Sequence, residues 1–379
     1  MSRLPFLFII TGLIGFVLFH AASLTSLTGW LGVPLRGPDG WFHIHLFVLG
    51  WATMLAMGAV YQLINVILQS QIWSERLGYV HYAVFTAGLS GLLVGFMRGE
   101  IGLIAAFASL VFIGIVLFAW NMAATLFRAG KWDAITVSAA LAVLYLVLTG
   151  VSGMAMGLNF AFGAWDGLHG RLFGTHIWLG TIGWFGLLIT GFSYKMLPMF
   201  YLAHHYPTAL QKAVLGMWNA GALLGALVFL LDAGNGLLAA ALGLVLAALI
   251  IYNIHLLQIR KHRFKRNPGQ GIRWSMFGNW AFAAAAAAMV GYAVLYPERM
   301  LAADIVRTAG WIYLGGWVSF MILCYASKIV PFLWWTAKYG ERAGQPGTPV
   351  MSDLLDEKRV FAGLALIAAA SVLFAAGLA

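Results

Sequence analysis

Ten histidines stand in this 379-residue chain, and five of them gather toward matching ends of apolar segments: His20, His43, His45, His169 and His176. An ionisable group inside a membrane is costly and marks a function by default. Neutral imidazole is also the usual nitrogen ligand of haem iron and copper. His43 and His176 each precede a Gly-Trp pair by seven residues (Gly50-Trp51 and Gly183-Trp184), whereas the third pair, Gly316-Trp317, has Ala309 at that position. Two matched imidazoles facing a common space would form a bis-imidazole haem site. His45 lies two residues beyond His43, about 200° round a helix, so the two rings face opposite ways and either could partner His176. The candidate metal ligands are thus His43, His45 and His176, with His169 as a further cofactor ligand. Arg171, between His169 and His176, is the cation best placed for an anionic group such as a haem propionate, because guanidinium pairs bidentately with carboxylate. Arg36 and Arg307 are the other cations on that side.

The remaining histidines read more plainly. His20 suits packing or a hydrogen bond. His81, at the start of an apolar segment, reads as a capping or snorkelling residue. His204-His205 precede Pro207 in a short loop, and His255 and His262 flank a basic loop, so all four read as surface residues. Lys195 and Lys328 stand at matched positions and are expected to snorkel to the interface.

The elements that must position these groups are membrane spans. The chain is 62% hydrophobic and 9% charged, with mean hydropathy +0.89, against roughly 25% charged residues in soluble domains. Eleven apolar segments reach spanning length: 4–28, 43–68, 77–97, 101–127, 134–158, 175–200, 209–231, 236–259, 274–295, 306–334 and 359–379. The expected fold is an all-α polytopic membrane helix bundle. The net charge of +10 reflects loops, not nucleic-acid binding. Its densest cluster is Arg260, Lys261, Arg263, Lys265, Arg266 and Arg273. The positive-inside rule puts that loop, and with it the N-terminus, in the cytoplasm of a bacterial inner membrane. His43, His45 and His176 then lie near the outer face. The single cysteine, Cys324, allows neither an internal disulfide nor a Cys-x-x-Cys-His haem attachment.

The Gly-Trp pairs recur at 133-residue intervals, and so do flanking positions: Gly58, Gly191 and Cys324; Gln62, Lys195 and Lys328; Asn65, Pro198 and Pro331. Such self-similarity signals a repeat architecture. The expected units are 1–133, 134–266 and 267–379, each of four spans except the last, which has three. Four spans per unit keep the copies parallel about an axis along the membrane normal. Thr11-Gly12-x-x-Gly15 recurs as Thr149-Gly150-x-x-Gly153. The first span is therefore expected to belong to a repeat rather than to a cleaved signal peptide.

Three four-helix arcs, His43-x-His45-x4-Gly50-Trp51 with Gly58-x2-Tyr61, and Gly191-x2-Tyr194-x3-Pro198 together resemble subunit I of the heme–copper oxidases, in its cbb-type form. The haem- and copper-associated NnrS-type proteins are a related likeness. The resemblance covers the architecture of nearly the whole chain, but its motifs cover only spans two, six and ten. It implies that His43 or His45 ligates a low-spin haem. The two histidines expected on span ten are absent, since Ala309-Gly310-Trp311-Ile312 stands there, and no histidine follows His262. The paired copper histidines expected near span seven are missing as well. The resemblance therefore implies the scaffold and one b-type haem, not the oxygen-reducing centre.

The function expected is electron transfer or a response to nitric oxide or another gas. The chain would work with membrane lipid and with a second membrane subunit or a redox partner such as cytochrome c. The alternatives are copper or haem handling, and a transporter on the same repeats. A transporter needs polar residues across the midplane, and only Thr86, Thr190, Ser193 and Asn219 offer them.

Overall fold

The computed structural model describes residues 3–26, 29 and 36–378. Positions 27, 28 and 379, expected at the ends of the first and last spans, lie outside the described residues. Eleven helices among these are long and apolar enough to cross a membrane: α1 (Leu4–Thr25), α2 (Pro38–Leu68), α3 (Glu75–Arg98), α4 (Ile101–Ala129), α5 (Ala134–Phe162), α6 (Asp166–Tyr201), α7 (Ala209–Leu231), α8 (Asn235–Lys261), α9 (Gln270–Leu295), α10 (Ala303–Arg342) and α11 (Glu357–Leu378). The protein is an all-α polytopic bundle.

Polar flanks extend several helices beyond their apolar stretches. Pro38 and Asp39 open α2 after extended Gly37, with Pro in the first turn where its missing N–H costs nothing. α6 begins at Asp166, nine residues before the apolar run, despite Gly167, Gly170 and Gly174. Its start is held by Asn159, which donates to Asp166 Oδ1 at 2.8 Å and accepts from the Trp165 backbone N–H at 2.8 Å. His169 is therefore helical, where its neighbouring glycines suggest a loop.

Each Gly-Trp pair sits in a π-helical stretch inside its span: Leu46–Thr53, Leu179–Gly186 and Ile312–Val318. Their first residues are again 133 apart (179 − 46 and 312 − 179). A π turn is rare and concentrates at functional sites. Here it widens α2, α6 and α10 where the three meet. Trp51 donates to Ser319 Oγ on α10 at 3.3 Å, and Trp184 donates to Thr53 Oγ1 on α2 at 3.3 Å. Thr53, Gly186 and Ser319 each lie two residues after a motif tryptophan. The third bond of this cycle is missing because Gly186 has no side chain. Trp317 donates instead to Asn279 Oδ1 on α9 at 2.8 Å, and Trp218 lies 5.9 Å from it, ring centre to ring centre. All three motif tryptophans are buried.

The glycines of the Thr-Gly-x-x-Gly segments do not hold equivalent places. Gly15 lets α1 approach the backbone of Gly50, while Gly153 lies against the His176 ring. The two copies are 138 residues apart rather than 133, and five extra residues move the second well over a helical turn.

Three expectations on the basic side of the bundle are corrected. His81 is wholly buried, its Nδ1 3.0 Å from the Tyr61 hydroxyl and its ring stacked on Phe8 at 4.9 Å. His255 is also wholly buried, and its Nε2 accepts from the Gln211 amide at 3.0 Å. Both follow their helices inward because each has a hydrogen-bond partner there. Lys328 does not snorkel freely: its ammonium pairs with Glu357 at 2.7 Å, and Glu357 also accepts the Gln270 backbone N–H at 2.6 Å. This pair ties α10, α11 and the start of α9 together.

Candidate functional site

A cavity of about 250 Å³ lies among α2, α3, α4, α5 and α6, with Leu314 of α10 closing one side. Its wall is mostly apolar, with Phe96, Phe112, Leu146 and Phe160 among its residues. The few polar groups include His45, His169 and His176, together with Arg36, Thr53, Thr149 and Thr181. An apolar pocket with a few convergent polar groups is the default binding site.

The structure brings His45 and His176 together. Their ring centres are 6.2 Å apart and the rings are inclined by 28°. His45 Nδ1 is 2.8 Å from the Trp41 carbonyl oxygen, one turn earlier on the same helix. His176 Nδ1 is 2.9 Å from the Thr149 carbonyl oxygen on α5, with Ser152 Oγ at 3.4 Å. A carbonyl oxygen only accepts, so Nδ1 carries the hydrogen in both rings. Nε2 is then the lone-pair nitrogen of each. This is the backbone support that fixes tautomer and ring orientation in metal-ligating histidines.

The α5 glycines make room for one of these rings. A Cβ on Gly153 would lie 2.9 Å from His176 Cε1. The Nδ1–Cε1 edge of the His176 ring therefore lies against α5 at Gly153.

His43 is buried but is not part of the cavity wall. Its Nδ1 faces the Asp39 carbonyl oxygen at 2.8 Å. His43 matches His176 in spacing, yet it is His45 whose ring stands near His176, for a geometric reason. Rotation about an axis that carries α2 onto α6 carries the α1 side of α2 onto the α5 side of α6. Equivalent residues then point the same way round the ring and cannot face each other. His176 points back toward α5, and only a residue on the opposite face of α2 can meet it. His45, about 200° from His43, is that residue.

His169 also lines the cavity. Its ring is 4.7 Å from Phe160, and its Nδ1 is buried with no hydrogen-bond partner among the described residues. Arg171 is exposed and is not in the wall. Arg36 takes the place expected of it, with its guanidinium carbon 4.5 Å above the Phe173 ring. The helical start of α6 turns Arg171 outward, which a loop reading could not foresee. His20 lies outside the cavity, edge-on to Phe16 at 4.4 Å. Met154 and Met156 line the wall as well. Methionine is common in apolar spans, and nothing in their spacing marks these two.

Thr190 Oγ1 donates to the Gly186 carbonyl at 2.8 Å and Ser193 Oγ to the Ile189 carbonyl at 2.6 Å, while Asn219 Oδ1 accepts from the Tyr145 hydroxyl. These groups are used within the packing and none of them lines the cavity. Among the described residues, no group of three or more His, Cys, Asp or Glu side chains is placed to hold a metal ion. No protein-family model matches the chain, and no curated protein matches it either.

Proposed function

We propose that the cavity holds one non-covalent b-type haem between His45 and His176, and that the protein is an electron carrier of a bacterial inner membrane. The observation that supports this is the imidazole pair. Two imidazoles sharing one metal, with each nitrogen about 2.0–2.1 Å from it, would have ring centres about 6 Å apart; these are 6.2 Å apart. Both Nδ1 atoms face backbone carbonyls, which leaves Nε2 for the metal. The aromatic wall suits a flat apolar ring, and Arg36, the cation in the wall, suits a carboxylate edge. Bound there, the haem would supply one-electron redox chemistry.

The chain's own residues hold and shield that group. Trp41 and Thr149 fix the tautomers through their carbonyls. Gly153 gives the His176 ring its place. Phe96, Phe112 and Phe160 exclude water. With His45 and His176 both holding it, such a haem would be suited to electron transfer rather than to binding a gas. A redox partner such as cytochrome c, or a second membrane subunit, would meet the protein on the His45 side. The experiment is an optical titration of the purified chain with haem, comparing His45→Ala and His176→Ala with the parent. Loss of low-spin binding in both variants supports the reading, and unchanged binding in either refutes it.

Copper handling is the second reading, and Met154 and Met156 in the wall of the same cavity as the two imidazoles favour it. Thioether ligands select the soft cuprous ion. A copper-loaded, haem-free protein whose metal content falls in Met154→Leu or Met156→Leu would favour copper over haem.

A further inference from the structure

The loop that carries the densest cluster of positive charge is fastened to a neighbouring loop that holds His204 and His205. Residues 202–208 join α6 to α7, and residues 262–269 join α8 to α9. Ala203 and Arg263 form an antiparallel bridge, and the Lys265 N–H donates to the Tyr201 carbonyl at 3.0 Å. The first loop turns sharply, with Leu202 at φ 49° and His205 at φ 56°, both in the left-handed region that non-glycine residues seldom enter. Two fixed backbones therefore present what lies at their tips.

What they present is unusual for an aqueous loop. Phe264 is 78% exposed and Leu202 is 51% exposed. The His204 ring lies 6.1 Å from Phe264. Around them Arg260, Lys261, Arg263, Lys265, Arg266 and Arg273 are all exposed. None of these six takes part in an ion pair among the described residues. Glu357, the carboxylate that approaches from α11, is already bonded to Lys328 and to the Gln270 N–H. Lys265 is near enough to Glu357 to interact with it electrostatically, but one carboxylate shared with Lys328 leaves most of the positive charge of the six unbalanced.

The depth of the patch selects its partner. Tyr201 ends one helix of membrane-spanning length and Lys261 another, so the loops lie at the ends of two such helices. Cations at that level attract the phosphates of anionic lipids. Aromatic and aliphatic side chains there bury themselves at the boundary between headgroups and acyl chains. We infer that the paired loops form a binding site for anionic phospholipid, with Arg263, Lys265 and Arg266 on the headgroup phosphate and Phe264 and Leu202 at the acyl boundary. An acidic soluble protein would match the charge but would leave Phe264 without an apolar partner.

The test places a bimane label on His262→Cys in the full chain, Cys324 being buried. The protein is reconstituted with brominated phosphatidylglycerol or brominated phosphatidylcholine. Quenching by the anionic lipid should be severalfold stronger and should weaken with salt. The preference should vanish in Arg263→Gln/Lys265→Gln/Arg266→Gln and persist in Arg263→Lys/Arg266→Lys, which keeps the charge. Inorganic phosphate should reduce it no more than chloride at the same ionic strength, since a free ion lacks the acyl chain. Equal quenching by the two lipids, a preference that survives the triple neutralisation, or a label quenched by neither lipid and shielded instead by an acidic protein would overturn the proposal.

Discussion

His45 and His176 stand with ring centres 6.2 Å apart, although they occupy different positions in the 133-residue pattern. His43, the residue that does match His176, is buried away from the cavity. The pair is made across the interface between α2 and α6, so each helix contributes the face its counterpart does not use.

That arrangement separates the two neighbouring histidines experimentally. His45→Ala should remove low-spin haem binding, while His43→Ala should retain it in full, with at most a stability loss from the vacated buried site. Spectra of the two variants side by side check this. Equal loss in both would place the ligand on the other face of α2.

Gly153 should tolerate no side chain without moving His176. A methyl group there would sit 2.9 Å from His176 Cε1. Gly153→Ala should cost about 1–3 kcal/mol, the usual penalty of overpacking, and should weaken cofactor retention. Thermal unfolding in detergent and haem titration measure the two effects independently.

The helices around these residues were readable from hydropathy alone, because a span needs a long apolar run whatever it packs against. The π-helical stretches were not predicted, yet they fall on the Gly-Trp pairs that the sequence marked. Direction was the harder property. His81 and His255 sit near span ends and invite a surface reading, but Tyr61 and Gln211 on neighbouring helices give their rings partners inside. Arg36 and Arg171 differ in role because α6 starts as a helix at Asp166. That start depends on Asn159, seven residues back on another helix.

Asn279 should matter more than its place in an apolar span suggests. It accepts from Trp317 at 2.8 Å and donates to the Tyr252 hydroxyl at 3.3 Å. Asn279→Leu leaves the Trp317 N–H buried without its acceptor, at a cost of about 1–3 kcal/mol. The melting temperature should fall, while haem binding at His45 and His176 should persist, because α9 does not line the cavity.

The basic loops should face the cytoplasm and His45 the opposite side. A maleimide reagent that cannot cross the membrane should label Phe264→Cys only in inside-out vesicles. Labelling in intact cells would reverse the orientation and move the proposed docking of redox partners to the other face.

The central claim is that this chain carries a haem between two imidazoles. The direct measurement is the reduced-minus-oxidised absorption spectrum of the full chain, purified after haem-replete expression, with haem quantified per protein. The account predicts one haem per chain with a low-spin, bis-imidazole signature that disappears in His45→Ala/His176→Ala. A colourless protein, or a haem signal unchanged in that double variant, would contradict it.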